Sequence, residues 1–212
     1  MKSIISVKYD QMEREKSQEE AVDKIVAAIE QKLAVREGPL LVSIDGRSGT
    51  GKTTLGKAVA EKIGATFILG DDFYAGGTFK EWSKKTPKQK ADFCIDWKRI
   101  RKEALEPLLA GRSATWHPFN WQTNEGLADN TITAKPAKVI ILDVVYAARP
   151  ELADLIDFSV LLQVSEAARR IRIAKRESGS FMKKWHKVWD DAEDYYFSQV
   201  RPPLSFDLVV QI

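Results

Sequence analysis

Apolar positions recur along this chain in two rhythms. Between Ser17 and Val35 the residues Ala21, Val22, Ile25, Val26, Ile29 and Leu33 fall at three- and four-residue spacing, which predicts an amphipathic helix. Ser17 with Glu20 makes a capping-box start, and Gly38-Pro39 closes the segment. Short, mainly apolar runs follow at Leu40–Ile44, Thr66–Leu69, Lys138–Leu142, Phe158–Val164 and Phe206–Val210. Runs of this kind predict strands covered on both faces. Helical periodicity separates them over Thr54–Ile63, Trp97–Leu109 (stopping at Gly111), Pro150–Ile156, Ser165 to about Glu177, and about Met182–Val200. Ser113–Asn120 reads as one more strand, and residues 75–95 as polar, basic and irregular. Strands alternating with helices predict a three-layer α/β/α domain around a mostly parallel, five-stranded sheet. In such sheets the chemistry gathers at the carboxyl ends of the strands.

The turn after the first strand is the chemical signature. Gly46-Arg47-Ser48-Gly49-Thr50-Gly51-Lys52-Thr53 satisfies G-x-x-x-x-G-K-[ST] at every specified position. A strand precedes it and a helix follows, which is the context that gives the pattern meaning. Glycines let successive backbone N–H groups turn inward as an anion nest, and the helix points its positive end at the same place. Lys52 then reaches the β- and γ-phosphates, and the Thr53 hydroxyl serves Mg²⁺. Thr54 extends the loop onto the helix. These residues predict a P-loop nucleotide site for ATP with Mg²⁺.

Transfer to an acceptor needs carboxylates as well. Asp71 and Asp72 follow the Thr66–Leu69 strand, and Asp143 ends the buried Val139–Leu142 run in the position where an acid holds the metal. Of the adjacent pair, one would serve metal-bound water or the acceptor hydroxyl. The other would turn away into a cap or salt bridge. Capping roles for both are the plain structural alternative.

From Ser165 to Lys187 there are eight basic residues (Arg169, Arg170, Arg172, Lys175, Arg176, Lys183, Lys184, Lys187) against Glu166 and Glu177. Arginines here could close over a transferring phosphoryl group as a helical lid, with Ser178-Gly179-Ser180 as a hinge. A solvated charged face is the alternative. Arg169 and Arg172 stand one helical turn apart. The acids Asp190, Asp191, Glu193 and Asp194 are candidates to pair with these bases. Upstream, Phe73, Tyr74, Trp82, Phe93, Trp97, Trp116, Phe119 and Trp121 are interleaved with Asp92, Asp96, His117 and Asn120. Aromatic walls with a few polar contacts suit a flat or sugar-bearing acceptor, although core packing explains any single ring. His117 reads equally as structural or as a substrate contact.

Composition narrows the class. The 33 basic and 30 acidic residues leave a net charge of +3, too balanced for a protein that coats nucleic acid. A single cysteine, Cys94, rules out an internal disulfide and a cysteine-only zinc site. The opening residues have too short an apolar stretch for a signal peptide, and no run approaches membrane-spanning length. The expectation is one domain over residues 1–212, in the reducing cytoplasm, with an acceptor-binding region at 75–121 and a lid-like segment at 165–187. Neither Asn-Lys-x-Asp nor Asp-x-x-Gly occurs where a guanine-nucleotide switch would need it.

Taken together these segments resemble the uridine kinase and phosphoribulokinase group of P-loop kinases, with the nearer likeness to bacterial uridine kinase-like proteins. The resemblance runs from about residue 40 onward. It rests on Gly46–Thr53, Gly70-Asp71-Asp72-Phe73-Tyr74, Asp96-Trp97-Lys98-Arg99-Ile100, Trp116-His117-Pro118-Phe119-Asn120-Trp121, Ile141-Leu142-Asp143-Val144-Val145-Tyr146, Arg149-Pro150-Glu151-Leu152 and Arg201-Pro202-Pro203. It implies that Asp71 orients or deprotonates a sugar hydroxyl and that Tyr74 with Phe119 lines the acceptor pocket. It further implies that Asp96 or Asp92 holds sugar hydroxyls, that Arg169 and Arg172 belong to the lid, and that Arg201 lies near the nucleotide base. The implied activity is ATP- and Mg²⁺-dependent phosphorylation of a nucleoside or related hydroxyl. Pantothenate, sugar or antibiotic kinases of the same fold, and a non-catalytic nucleotide binder, stay open. Kinases of this kind often self-associate, though no surface in the sequence announces it. Three positions depart from the group: Asn120 for a frequent aspartate, Val144 for glycine, and Asp143 for a common glutamate.

Overall fold

A computed structural model describes residues 4–176 and 180–212, with side chains at 12, 16–175 and 187–212. In chain order the elements are α1 (Ile4–Leu33), β1 (Leu40–Asp45), α2 (Lys52–Ile63), β2 (Thr66–Leu69), α3 (Phe79–Trp82), α4 (Pro87–Phe93), α5 (Trp97–Arg99), α6 (Glu106–Leu109), β3 (Ala114–Trp116), β4 (Ile132–Ala134), β5 (Val139–Asp143), β6 (Phe158–Gln163), α7 (Glu166–Arg176), α8 (Ser180–Tyr195) and β7 (Leu208–Gln211). Five of the described strands form one parallel sheet in the order β2-β5-β1-β6-β7. The architecture is the three-layer α/β/α arrangement expected.

Side-chain alternation along the strands builds both layers. Leu40, Val42 and Ile44, with Val139, Ile141, Val160 and Leu162, pack against Ile25 and Ile29 of α1 and Leu55 and Val59 of α2. Leu41, Ile68, Ile140, Leu142 and Leu161 face the other way, onto Ile100, Leu105, Leu108, Ala192 and Tyr196. Both faces are covered, so the apolar runs are continuous rather than alternating.

Four local expectations are corrected. Helix α1 begins at Ile4 rather than Ser17. Nothing between them is Gly or Pro, and Glu, Lys, Gln, Met and Arg are good helix formers, so Ser17 continues the helix instead of capping it. Residues 75–95 are not irregular throughout. Thr78 with Glu81 and Thr86 with Gln89 make complete capping boxes that start α3 and α4. Only Ala114–Trp116 of the Ser113–Asn120 segment is a strand, and it pairs antiparallel with β4 in a separate two-stranded sheet. The Pro150–Ile156 segment shrinks to a single 3₁₀ turn, Pro150–Leu152. Between α5 and α6 the helix widens into a π turn over Ile100–Leu105, just ahead of Pro107, whose missing N–H cannot continue the regular ladder. No helix among the described residues is long and apolar enough to cross a membrane.

The strand order reverses about β1, so the turns after β1, β2, β5 and β6 meet at one edge. Gly70, after β2, and Val144, after β5, touch there: a Cβ on Gly70 would stand 2.5 Å from the Val144 Cβ. Val144 therefore fills the space that the glycine leaves. Gly70→Ala is expected to cost about 1–3 kcal/mol by overpacking, a fall of roughly 3–10 °C in thermal midpoint for a chain this size. In a Val144→Gly background the same change should cost under about 0.5 kcal/mol. Equal costs in the two backgrounds would refute the contact.

Candidate active site

Strand β1 ends at Asp45 and α2 begins at Lys52, so the six residues between them must turn tightly. Gly49 and Gly51 take φ of +80° and +99°, values that L side chains avoid. A Cβ on Gly49 would lie 2.7 Å from Ile173 Cγ1, which shows how closely α7 presses on the loop. The Thr50 hydroxyl and the Lys52 ammonium both donate to the Arg47 carbonyl, at 2.8 and 3.2 Å.

Asp45 anchors the loop from beneath. Its fully buried carboxylate accepts from Gly46 N (2.7 Å), Tyr146 N (2.9 Å), Ala148 N (3.1 Å) and the Tyr196 hydroxyl (2.9 Å). Burial pushes this carboxyl above the usual range, against the pull of those backbone donors and of Lys52. Tyr146 sits at φ +71°, strained for a bulky residue. Its bond to Asp45 and its ring contact with Tyr196 (4.8 Å between centroids) hold it there.

In front of the loop lies a cleft of about 360 Å³ lined by Ser48, Gly49, Gly51, Lys52, Thr53, Thr54, Asp71, Asp143, Val144 and Arg172. Asp143 is 1% exposed. Thr53 hydrogen-bonds it, yet its Oδ1 is buried with no hydrogen-bond partner among the described residues. Burial raises the carboxyl to about 6, while Lys52 and Thr53 pull it back. An orphaned carboxylate oxygen beside a threonine hydroxyl fits Mg²⁺, which takes one or two protein oxygens and fills its shell with water and phosphate. Arg172 reaches into the same cleft and donates to the Thr50 carbonyl at 2.6 Å.

Two further cavities adjoin the loop. One, of about 130 Å³, shares Ser48, Asp71, Val144 and Val145 with the cleft and adds Tyr74, Cys94, Ile95, Tyr146, Trp189 and Glu193. The Tyr74 hydroxyl there is buried with no hydrogen-bond partner of normal geometry among the described residues, and the nearby Trp82 indole donates to the Gly76 carbonyl (2.9 Å). Burial pushes that phenol well above its usual range. The other, of about 700 Å³, is lined by Arg47, Thr50, Gln163, Ser165, Arg169, Arg170, Phe197 and Pro203, among others.

Other candidates stand elsewhere. Asp72 turns inward and accepts from Trp116 Nε1 at 3.0 Å, leaving Asp71 alone at the cleft. Asp96 caps α5 through Arg99 N (3.0 Å). His117 is exposed and bonds the Ala128 carbonyl (2.9 Å). Phe119 packs edge-on behind Tyr74, and Trp121 stacks on the same ring. Arg201 bonds the Ser159 hydroxyl (3.2 Å) and lies over the Phe206 ring. Arg169 is buried and bonded to Ser48, Glu166 and Glu193 rather than lining the cleft with Arg172. The expected hinge, Ser178-Gly179, and the lid bases Lys183 and Lys184 lie outside the described residues and side chains. Sequence reading missed Asp45, Trp189 and Tyr196. The one available signal was Asp45 itself, a lone acid ending an apolar strand ahead of the loop.

No family model matches the chain. It is 25% identical over 173 residues to a uridine kinase of Latilactobacillus sakei, which covers 79% of this chain and 78% of that one. It is 27% identical over 177 residues to a uridine kinase of Streptococcus agalactiae serotype V, covering 79% and 80%. A solved structure described as a "possible uridine kinase" from Bacillus stearothermophilus superposes with a TM-score of 0.67 at 20% identity, over 90% of this chain and 97% of that one. The chain has the three-layer α/β/α fold of that structure. Its likeness to uridine kinases, read from the motifs, is borne out by the two curated relatives, and the solved structure bears out the fold.

A raised acid pKa means that the folded chain holds a proton which the unfolded chain releases. The resulting stability is complete below about pH 4 and is lost as pH rises through about 6. Asp143→Asn cannot ionise. Without Mg²⁺ it should therefore gain on the wild type as pH rises from 4, levelling off at about 2–3 kcal/mol above pH 6. Thermal unfolding at pH 4.5, 6 and 7.5 checks this, and a pH-independent difference would refute the buried ionisation.

Proposed function

We propose that this protein is an ATP- and Mg²⁺-dependent kinase that phosphorylates a hydroxyl of a small neutral metabolite, a nucleoside first among them. One observation carries the reading. Lys52, Thr53, Asp71, Asp143 and Arg172 line one cleft, and that cleft opens onto an aromatic cavity through Asp71. The names of the curated relatives support a phosphotransferase acting on an alcohol.

In this reading the loop N–H groups and Lys52 cradle the donor phosphates. Lys52 leaves the Arg47 carbonyl to do so. Thr53 and Asp143 would hold Mg²⁺, which would supply neutralisation of the donor's phosphate charge. The larger cavity beside Arg47 and Thr50 takes the donor's base. Tyr74, Tyr146 and Trp189 wall the acceptor. Asp71 orients the acceptor hydroxyl and receives its proton as the oxygen bonds to the γ-phosphorus and ADP departs. Arg172 meets the charge on the transferring group.

The cavity's charge narrows the acceptor. Among the described residues its carboxylates are Asp71 and Glu193, the latter paired with Arg169, and it has no lysine or arginine. That disfavours acceptors that carry a carboxylate or phosphate, pantothenate included, and favours uncharged ones.

The test is ADP release from Mg²⁺–ATP with uridine, cytidine, other nucleosides, pantothenate, simple sugars and aminocyclitols as acceptors. Acceptor-dependent turnover is expected with a neutral compound. Asp71→Asn should bind Mg²⁺–ATP within about threefold of wild type yet lose at least about 10²-fold in turnover. Binding without turnover on any acceptor would leave a non-catalytic nucleotide binder.

A further inference from the structure

Arg169 and Glu193 come from different helices, α7 and α8, and each is only about 2% exposed at its side chain. They pair at 3.0 Å. Both also grip the same loop residue. Glu193 Oε1 accepts from Ser48 N at 2.8 Å, while Arg169 Nη1 donates to the Ser48 carbonyl at 2.8 Å. Ser48 thus has both its backbone polar groups tied to one buried ion pair. Its neighbour Arg47 is tied to the same helix by an ion pair with Asp194 at 2.6 Å. The next residue, Gly49, takes positive φ directly against α7.

A buried ion pair is costly to desolvate and is weak evidence for stability on its own. This one is spent on an exposed-edge loop whose shape decides where the following N–H groups point. We infer that Arg169 and Glu193 are positioning residues that preset the phosphate-binding loop for its nucleotide. Arg169 then acts through the loop rather than on the phosphates, and Arg172 is the arginine of α7 that faces them. Donor affinity depends on two side chains that never touch the donor phosphates.

The inference rests on the nucleotide reading of the loop, so the test measures donor binding directly, without an acceptor. Mg²⁺–ATP affinity is measured by titration for wild type, Arg169→Lys, Glu193→Gln and the double variant Arg169→Met/Glu193→Gln, with thermal unfolding of each free protein alongside. Each single variant is expected to weaken donor binding about tenfold or more, as misplaced loop groups lose their geometry. The double variant removes both charges. In Glu193→Gln the arginine keeps its ion pair with Glu166 at 3.0 Å, so that variant should stay folded, and in the double variant donor binding should stay weak because the Ser48 carbonyl has lost its donor. The KM of whichever acceptor is turned over should change less than about threefold in Arg169→Lys, which leaves the lining of the acceptor cavity intact. A folded double variant that binds Mg²⁺–ATP as tightly as wild type, or tighter, overturns the inference and leaves the pair as a helix-to-helix tie. Wild type that fails to bind Mg²⁺–ATP overturns the nucleotide reading itself, and the inference with it.

Discussion

One buried carboxylate organises the working edge of this protein. Asp45 is the last residue of the central strand, and its two oxygens collect four donors from three separate parts of the chain. Gly46 begins the glycine-rich loop, Tyr146 and Ala148 lie in the turn after β5, and Tyr196 follows directly on α8. A lone buried carboxylate is expensive, and here it is tolerated because its lone pairs are satisfied. The arrangement fixes the start of the loop relative to Asp143, three residues before Tyr146. Tyr146 can keep its strained conformation for the same reason.

Around that point the arginines divide their work. Arg172 faces the cleft in front of the loop, whereas Arg169 is sunk between Glu166, Glu193 and the loop backbone. Two residues of one type, one helical turn apart and equivalent in a charge count, end in opposite roles. The difference is set by what α8 presents to them. Its acids Asp190, Glu193 and Asp194 are spaced along one helix face and meet Arg170, Arg169 and Arg47 respectively.

Much of the fold was readable from the chain. The parallel sheet announced itself through continuous apolar runs, and the phosphate-binding loop through its glycine spacing between a strand and a helix. Asp143 stood out because it ended a buried run. Periodicity failed where short-range capping decided the outcome, as at Thr78 and Thr86, whose boxes start helices too brief to show a rhythm. It also failed where a strand found a partner outside the main sheet, as Ala114–Trp116 did with Ile132–Ala134. In the candidate site, adjacent residues were hard to separate. Asp71 and Asp72 look alike in sequence, and only the fold turns one to the cleft and the other to the Trp116 indole. Asp45 was opaque because most of its partners lie more than 100 residues away, and of Glu193 the pairing with a base of α7 was legible while its grip on Ser48 was not.

The most direct measurement is a crystal structure with Mn²⁺ and a non-hydrolysable ATP analogue, using the anomalous signal of manganese to locate the metal. The expected result is a single peak within coordination distance of the Thr53 hydroxyl, on the Asp143 side of the loop, with the triphosphate in the Gly46–Thr53 nest. An analogue bound away from this loop, or a metal site that leaves Thr53 and Asp143 untouched, would contradict the assignment of this cleft as a phosphoryl-transfer centre.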